Sequence, residues 1–451
     1  MTYDLIIKNG KVILETGAVE TDVAIKDGKI AAIGFNLENG KQTIDAKGLI
    51  VSPGMIDAHM HLTEMGPRSD WEGYETGTRA AAKGGITSCI EMPLNQMPAT
   101  VDGKTLKMKL DAGQGKLSID VYSFGGLVQN NVSKLHEMAE MGVPVFKCFI
   151  ATCGSGHPED FSDVDDFVYY EGAKEIARLN KILAVHAENA IICDELGRIA
   201  KESGQTSAKS YVDSRPVFTE VEAVRRALYL ADVAGCQLHV CHVSCPEAVE
   251  EVTRARQAGQ NVTCETCGHY LAVDLDDFEK IGNAAKCSPP IRDKDNQVRL
   301  WEKVMKGEVD LVASDHSPCT PNLKEGTVFE AWGGISACQN TLDVFFDEAV
   351  QKRNMPLTQF ARLIAGNPAK IFHLEGKGTI EVGNDADIVL IKPNSPYVLK
   401  AEDLEYRNKM SVYVGRKIGA QVAATIVRGN VVYELGKGIV NPHKGKFLKT
   451  R

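Results

Sequence analysis

The stretch Leu49-Ile50-Val51-Ser52-Pro53-Gly54-Met55-Ile56-Asp57-Ala58-His59-Met60-His61 is an apolar run that stops on two histidines spaced i and i+2. In a β-strand, side chains two residues apart project from the same face, so His59 and His61 can bind one cation together from a single rigid element. Asp57 is expected on that face one step deeper, as a ligand or an orienting group.

Working outward, apolar runs of the same kind recur at 87–92, 119–124, 143–151, 182–186, 237–243, 261–265 and 309–314. Helical patterns lie between them, as at 73–83, 134–141, 220–233 and 246–257. Strands buried on both faces read as continuous rather than alternating apolar runs, and strands alternating with helices imply a parallel sheet. Eight such strands predict an α/β protein with a (β/α)8 barrel. The segments 187–217 and 316–333 are longer than ordinary barrel loops, and loops after barrel strands are where substrate selection is usually built. The first 50 residues and the last part of the chain differ from this middle. They show short alternating strands with Gly-bearing turns, as in Leu5-Ile6-Ile7, Val23-Ala24-Ile25 and Asp387-Ile388-Val389-Leu390-Ile391.

Metal-compatible groups close several of the middle strands. Lys147 lies between Val145 and Phe149, which share its face; an ammonium inside a barrel is costly unless it is paired, neutralised or chemically changed. Pairing with a carboxylate is one outcome. The other is reaction of the neutral amine with carbon dioxide to a carbamate, an anionic ligand able to bridge two cations. His186 ends the fifth run, with Glu188 two residues on. In the sixth run His239 and His242 are three apart and should face opposite ways, so His242 is expected in the site and His239 on the helix side. Asp315 ends the last run, where it can bind one metal and carry a proton between a water molecule and a leaving nitrogen; His316 should point away. Two cations about 3.5 to 4 Å apart would activate a shared water and polarise a carbonyl, which fits hydrolysis of a C–N bond. The donor set suits zinc, though other first-row divalent metals prefer similar ligands.

Composition narrows the class. A chain of 451 residues exceeds what one core usually supports, and 43% apolar with 25% charged residues is ordinary for a globular enzyme. A net charge of −9 without a long basic run argues against nucleic acid and for small-molecule partners. No apolar stretch reaches the roughly 18 to 20 residues of a membrane span, and the start of the chain lacks a signal-peptide pattern, so a cytoplasmic location is expected. Twelve cysteines, several inside apolar runs, read as reduced buried thiols, including the Cys264–Cys267 pair.

The segments PGMIDAHMH (53–61), VFKCF (145–149), LAVHAEN (183–189), LHVCHVS (238–244) and ASDHSPC (313–319), in that order, resemble the cyclic amidohydrolase branch of the amidohydrolase superfamily over essentially the whole chain. Within it, WEGYETG (71–77), EMPLN (91–95) and AWGGI (331–335) are most similar to bacterial allantoinases. The resemblance implies a β-sandwich built from residues 1–50 and 375–451 beside a metal-binding barrel at 51–374. It implies two divalent ions held by His59, His61, N6-carboxylated Lys147, His186, His242 and Asp315, a homotetramer, and opening of the hydantoin ring of allantoin to allantoate. Ser288 matches a position whose backbone meets the ring amide; Ser317 and Asn95 are further candidate substrate contacts. Leu62-Thr63-Glu64 stands where dihydroorotases carry an arginine, and Thr152 where dihydropyrimidinases and hydantoinases carry an oxyanion-donating tyrosine. Gly268 replaces the proline usual before the histidine at 269. The rival readings are a hydantoinase or dihydropyrimidinase with an altered pocket, and a catalytically silent barrel scaffold.

Overall fold

A computed structural model describes residues 2–450. Eight parallel strands make the expected barrel: Met55–Met60, Ile86–Glu91, Asp120–Ser123 continued by Gly125–Gly126, Val145–Phe149, Ile182–His186, Gln237–Val240, Val262–Cys267 and Leu311–Ala313. Each pairs with the next in parallel, with register shifts only between the first and second. The ring closes where Met60 bridges His316 and the His61 N–H donates to the His316 carbonyl at 2.8 Å. The expected helices appear as Tyr74–Lys83, Leu135–Glu140, Val217–Ala234 and Pro246–Gln257.

The run 49–61 serves two sheets. Ile50–Pro53 belongs to a sheet of the chain ends, Met55–Met60 to the barrel, and Gly54 makes the transition. A Cβ there would stand 2.2 Å from the Thr87 side chain, so only glycine lets the chain pass so close to the second barrel strand. In the terminal sheet, eight of nine strands from both ends form one hydrogen-bonded path, with Ile388–Lys392 antiparallel to Ile50–Pro53 and Tyr3–Leu14 beyond it; the ninth, Gly40–Asp45, pairs beside Tyr3–Leu14. Leu5, Ile7, Val23, Ile25, Ile388 and Ile426 share its core. This is the β-sandwich partner of the barrel, drawn from the two segments whose alternating pattern set them apart.

Two layers of apolar side chains hold the barrel. Inside it Ile56, Ala58, Ile90, Val145, Ala184 and Ala313 pack together, while the intervening residues Leu183, Leu238, Val240 and Val312 face the helices. The alternation explains why the strands read as unbroken apolar runs.

At the barrel end opposite the site, charge and backbone join the two parts. The fully buried Asp120 accepts from Lys377 Nζ at 2.8 Å and from Arg428 Nε at 3.0 Å, and Lys377 also reaches Asp385 (2.9 Å) and Asp387 (2.6 Å). These three aspartates could crowd a cation, but Lys377 already occupies their centre. The C-terminal tail then runs along the third strand. Gly445 donates to the Leu117 carbonyl at 2.9 Å, Val121 to Lys446 at 3.0 Å, Leu448 to Val121 at 2.8 Å, and Thr450 to Gly142 at 3.0 Å. All twelve cysteines are unpaired and eleven are buried, as expected of reduced thiols. Among the described residues no helix is long and apolar enough to cross a membrane.

Candidate metal centre

His59, His61 and Asp315 converge at the C-terminal ends of the first and last strands. His59 Nε2 lies 3.2 Å and His61 Nε2 3.5 Å from the same Asp315 oxygen, and the three offer one ligand atom each within 4.8 Å of one another. His186 Nδ1 and His242 Nε2 face each other at 3.1 Å, and the His59 and His242 rings are 5.2 Å apart. The four histidines therefore form one cluster. Lys147 is fully buried beside it, 5.0 Å over the Phe149 ring, which also stacks on His186 at 4.4 Å.

The strand geometry that aims these groups departs from simple alternation at two points. Gln237–Val240 ends before His242, whose φ of 35° turns its side chain into the barrel; Asp315 has φ of 45°. Such left-handed backbone at non-glycine residues is costly and concentrates at functional sites. It also corrects the expectation for His239. His239 shares the inner face with Cys241, packs edge-on against Phe372 at 5.2 Å, and lies one layer below the site rather than among the helices. The three-residue spacing did not separate the faces because His242 lies beyond the strand, where period-two logic no longer applies. Asp57 does not join the cluster. The pairing register slips between Asp57 and Met60, and its carboxylate accepts from the backbone N–H of Ser314 (3.0 Å) and of His59 (3.3 Å), tying the first strand to the last. His316 points away as expected, buried and stacked on Tyr406 at 4.8 Å.

Carboxylates behind the cluster orient it. Glu265 accepts from His59 Nδ1 at 2.5 Å and His239 Nε2 at 3.2 Å; Glu188 pairs with His186 Nε2 at 2.9 Å and Arg215 at 3.1 Å. These contacts fix which ring nitrogen faces the centre. Burial pushes the Asp315 carboxyl up, but the facing His59 and His61 outweigh it and hold it at about 2. Burial works against protonated His59, yet Asp315 and Glu265 raise it to about 10. So much negative charge turned on the imidazoles, and an ammonium at Lys147 with no hydrogen-bond partner, suit a cationic centre and a modified lysine.

The centre opens into a cavity of about 460 Å³. Asn95, Ser288 and Ser317 all line it: Asn95 Nδ2 donates to Ser317 Oγ at 2.9 Å, and Ser288 Oγ is 2.6 Å from the Tyr211 hydroxyl. Thr152 turns its hydroxyl to Asp194 at 2.6 Å. Trp71 and Trp332, from segments 260 residues apart, meet edge to face at 4.7 Å, with Arg68 5.0 Å over Trp71. The 187–217 excursion carries the helices Ala190–Glu202 and Ala208–Asp213 and delivers Asp194, Lys201, Tyr211 and Arg215 to the rim.

The amidohydrolase family profile matches residues 50–432, the barrel together with the central strands of the terminal sheet from Ile50–Pro53, Ile388–Lys392 and Gln421–Val427. The chain belongs to the amidohydrolase family. It is 60% identical over 449 residues, 99% of both chains, to the allantoinase of Salmonella choleraesuis strain SC-B67. Among solved structures it superposes on the L-hydantoinase (dihydropyrimidinase) from Arthrobacter aurescens with a TM-score of 0.95 at 34% identity, covering 100% of each chain. It superposes on the dihydropyrimidinase from Brevibacillus agri NCHU1002 with a TM-score of 0.90 at 30% identity, covering 99% and 98%. Amidohydrolases are metal-dependent hydrolases, and the His–Asp group of this chain is of the kind that binds such an ion.

Sequence reading had not assigned Glu265, Arg215, Tyr211 or Lys286. Glu265 carried a signal in retrospect, a carboxylate closing the seventh run. Arg215 and Lys286 come from irregular segments, and Tyr211 from the short helix Ala208–Asp213, whose placement over the cavity no periodicity describes. Gly268 starts the short helix Gly268–Ala272, where a Cβ would lie 3.1 Å from both Thr341 and the Tyr413 hydroxyl, so the local packing leaves little room for a larger residue.

Proposed function

We propose that this chain is a cytoplasmic hydrolase that opens the hydantoin ring of allantoin to give allantoate. The observation that carries this reading is the 60% identity to an allantoinase across 99% of both chains, against 34% or less to the hydantoinases and dihydropyrimidinases it superposes on. In this reading the barrel, residues 51–374, holds the chemistry, and residues 1–50 with 375–451 form its companion sandwich.

His59, His61 and Asp315 would hold one divalent ion, His186 and His242 a second, and Lys147 carboxylated on Nζ would bridge them; zinc fits the imidazole and carboxylate donors. When bound, such ions lower the pKa of water and polarise the carbonyl. The rest is done by the chain. Asp315 takes the proton that the water loses as its oxygen bonds to the ring carbonyl carbon, and gives it to the ring nitrogen as the C–N bond breaks. Glu265 and Glu188 hold His59 and His186 in the tautomers that face the centre. Ser288, Ser317 and Asn95 position the ring at the cavity wall. The exposed Phe167, Phe218 and Tyr229, on two helices packed against each other, support burial of apolar surface there against further copies in a homotetramer.

The test is side-by-side turnover of allantoin, hydantoin, dihydrouracil and dihydroorotate. Allantoin is expected to lead by more than tenfold in kcat/KM, a transition-state difference of about 1.4 kcal/mol. A tenfold preference for any of the others overturns the substrate assignment.

A further inference from the structure

One wall of the cavity has more hydrogen-bond capacity than the protein uses. Arg215 spends one of its five donors on Glu188, through Nη1 at 3.1 Å. The other oxygen of Glu188, Oε1, is buried without a partner. Lys286, only 7% exposed, reaches the carbonyls of Phe329 (3.4 Å) and Ala331, and no carboxylate of the described residues lies within ion-pair distance. Both cations lie over the Tyr211 ring, Arg215 at 5.3 Å and Lys286 at 5.1 Å, and the Tyr211 hydroxyl is bonded to Ser288. This wall thus adjoins the position assigned to the ring. All five residues line the cavity.

We propose that Arg215, Lys286 and Glu188 form a polar subsite that reads the ureido arm on C5 of the hydantoin ring. The inference rests on the function proposed above and adds the residues that select its substrate. A ureido group presents one carbonyl oxygen and several N–H donors. Its carbonyl accepts from Arg215 and Lys286, and an N–H donates to Glu188 Oε1. The bare Glu188 oxygen decides between ligand chemistries: a carboxylate arm would meet it with like charge, and an apolar arm would leave it and the Arg215 donors dry and unpaired. A site built to hydrogen-bond a group rejects analogues lacking it far more strongly than an apolar pocket rejects a missing methylene.

The experiment uses Arg215→Met and Lys286→Met in the metal-loaded enzyme. KM and kcat are measured for allantoin, together with the inhibition constant of 5-propylhydantoin, an apolar arm of similar length, against allantoin turnover. In each variant kcat/KM for allantoin is expected to fall at least tenfold, mostly through KM. The ratio of the allantoin KM to the 5-propylhydantoin inhibition constant is expected to rise at least tenfold, with bound metal per subunit unchanged. Equal shifts for both ligands, or loss of metal, overturn the subsite and assign Arg215 to holding Glu188 and His186 alone. Failure of the wild type to hydrolyse allantoin would instead refute the proposed function, so the two failures are distinguishable.

Discussion

Asp343 offers a test of the structure that does not involve the metal centre. It lies in the helix Cys338–Phe346, is 4% exposed, and forms no ion pair with any described residue. Its partners are the Tyr397 hydroxyl, Asn340 Nδ2 at 3.4 Å and the Val344 N–H at 2.8 Å. Burial outweighs these hydrogen bonds and pushes the carboxyl up from its ordinary 3.8 to about 7. Asn340 Oδ1 is buried without a partner, and turning that amide by about 180° would offer an acceptor for the carboxyl proton. Between pH 3.8 and 7 the unfolded chain has released this proton and the folded chain keeps it. The stability it contributes is therefore complete below about pH 4 and is lost as pH rises through about 7. At about 1.4 kcal/mol per pH unit the loss totals about 4 kcal/mol, of which about 3 falls between pH 5 and 8. Asp343→Asn removes the titration at nearly constant volume. With an unfolding entropy of about 2.1 cal/mol/K per residue, the variant should gain about 3 °C on the wild type between pH 5 and pH 8, read from thermal melts at matched salt and saturating metal. Melting curves that stay parallel across that range would refute a protonated Asp343.

Lys147→Ala should lose both bound metal and turnover, with partial recovery of activity on adding short carboxylic acids; wild-type turnover without them would exclude a bridging lysine. Glu265→Gln leaves the shape of the site intact but weakens the orientation of His59, and should lower metal affinity about 10- to 100-fold in a competition assay with a chelator. Gly445→Ala would place a methyl 1.8 Å from the Ile119 carbonyl oxygen, which cannot yield because it is backbone. Displacement of the tail should cost more than about 2 kcal/mol and expose residues near 445 to protease, while an unchanged melting point would show the tail docks otherwise.

The barrel was legible because both faces of its strands are buried, which leaves unbroken apolar runs that turns and amphipathic helices separate. The closing residues of those strands showed which chemistry to expect, since histidines, a lysine and an aspartate are expensive at the ends of such runs without a purpose. His239 was misplaced because strand alternation stops where the backbone enters the left-handed region, and nothing local marks that point. The Glu188–Arg215 pair, the meeting of Trp71 with Trp332 and the donors of Lys286 were not legible. They depend on how loops far apart in sequence fold over one another.

The buried cluster around Asp120 bears on how the chain is made. Asp120 begins the third barrel strand, and Arg428, one of its two cations, follows 308 residues later. At roughly 5 to 20 residues per second, a ribosome completes that interval in on the order of 15 to 60 s. Until Lys377 emerges, 257 residues after Asp120, the third strand presents a carboxylate with neither of its cations, and Ile50–Pro53 lacks its antiparallel neighbour. A barrel on the ribosome is therefore held short of its final state until its second half has emerged, a long exposure for eight apolar strands and a natural point for chaperones to act.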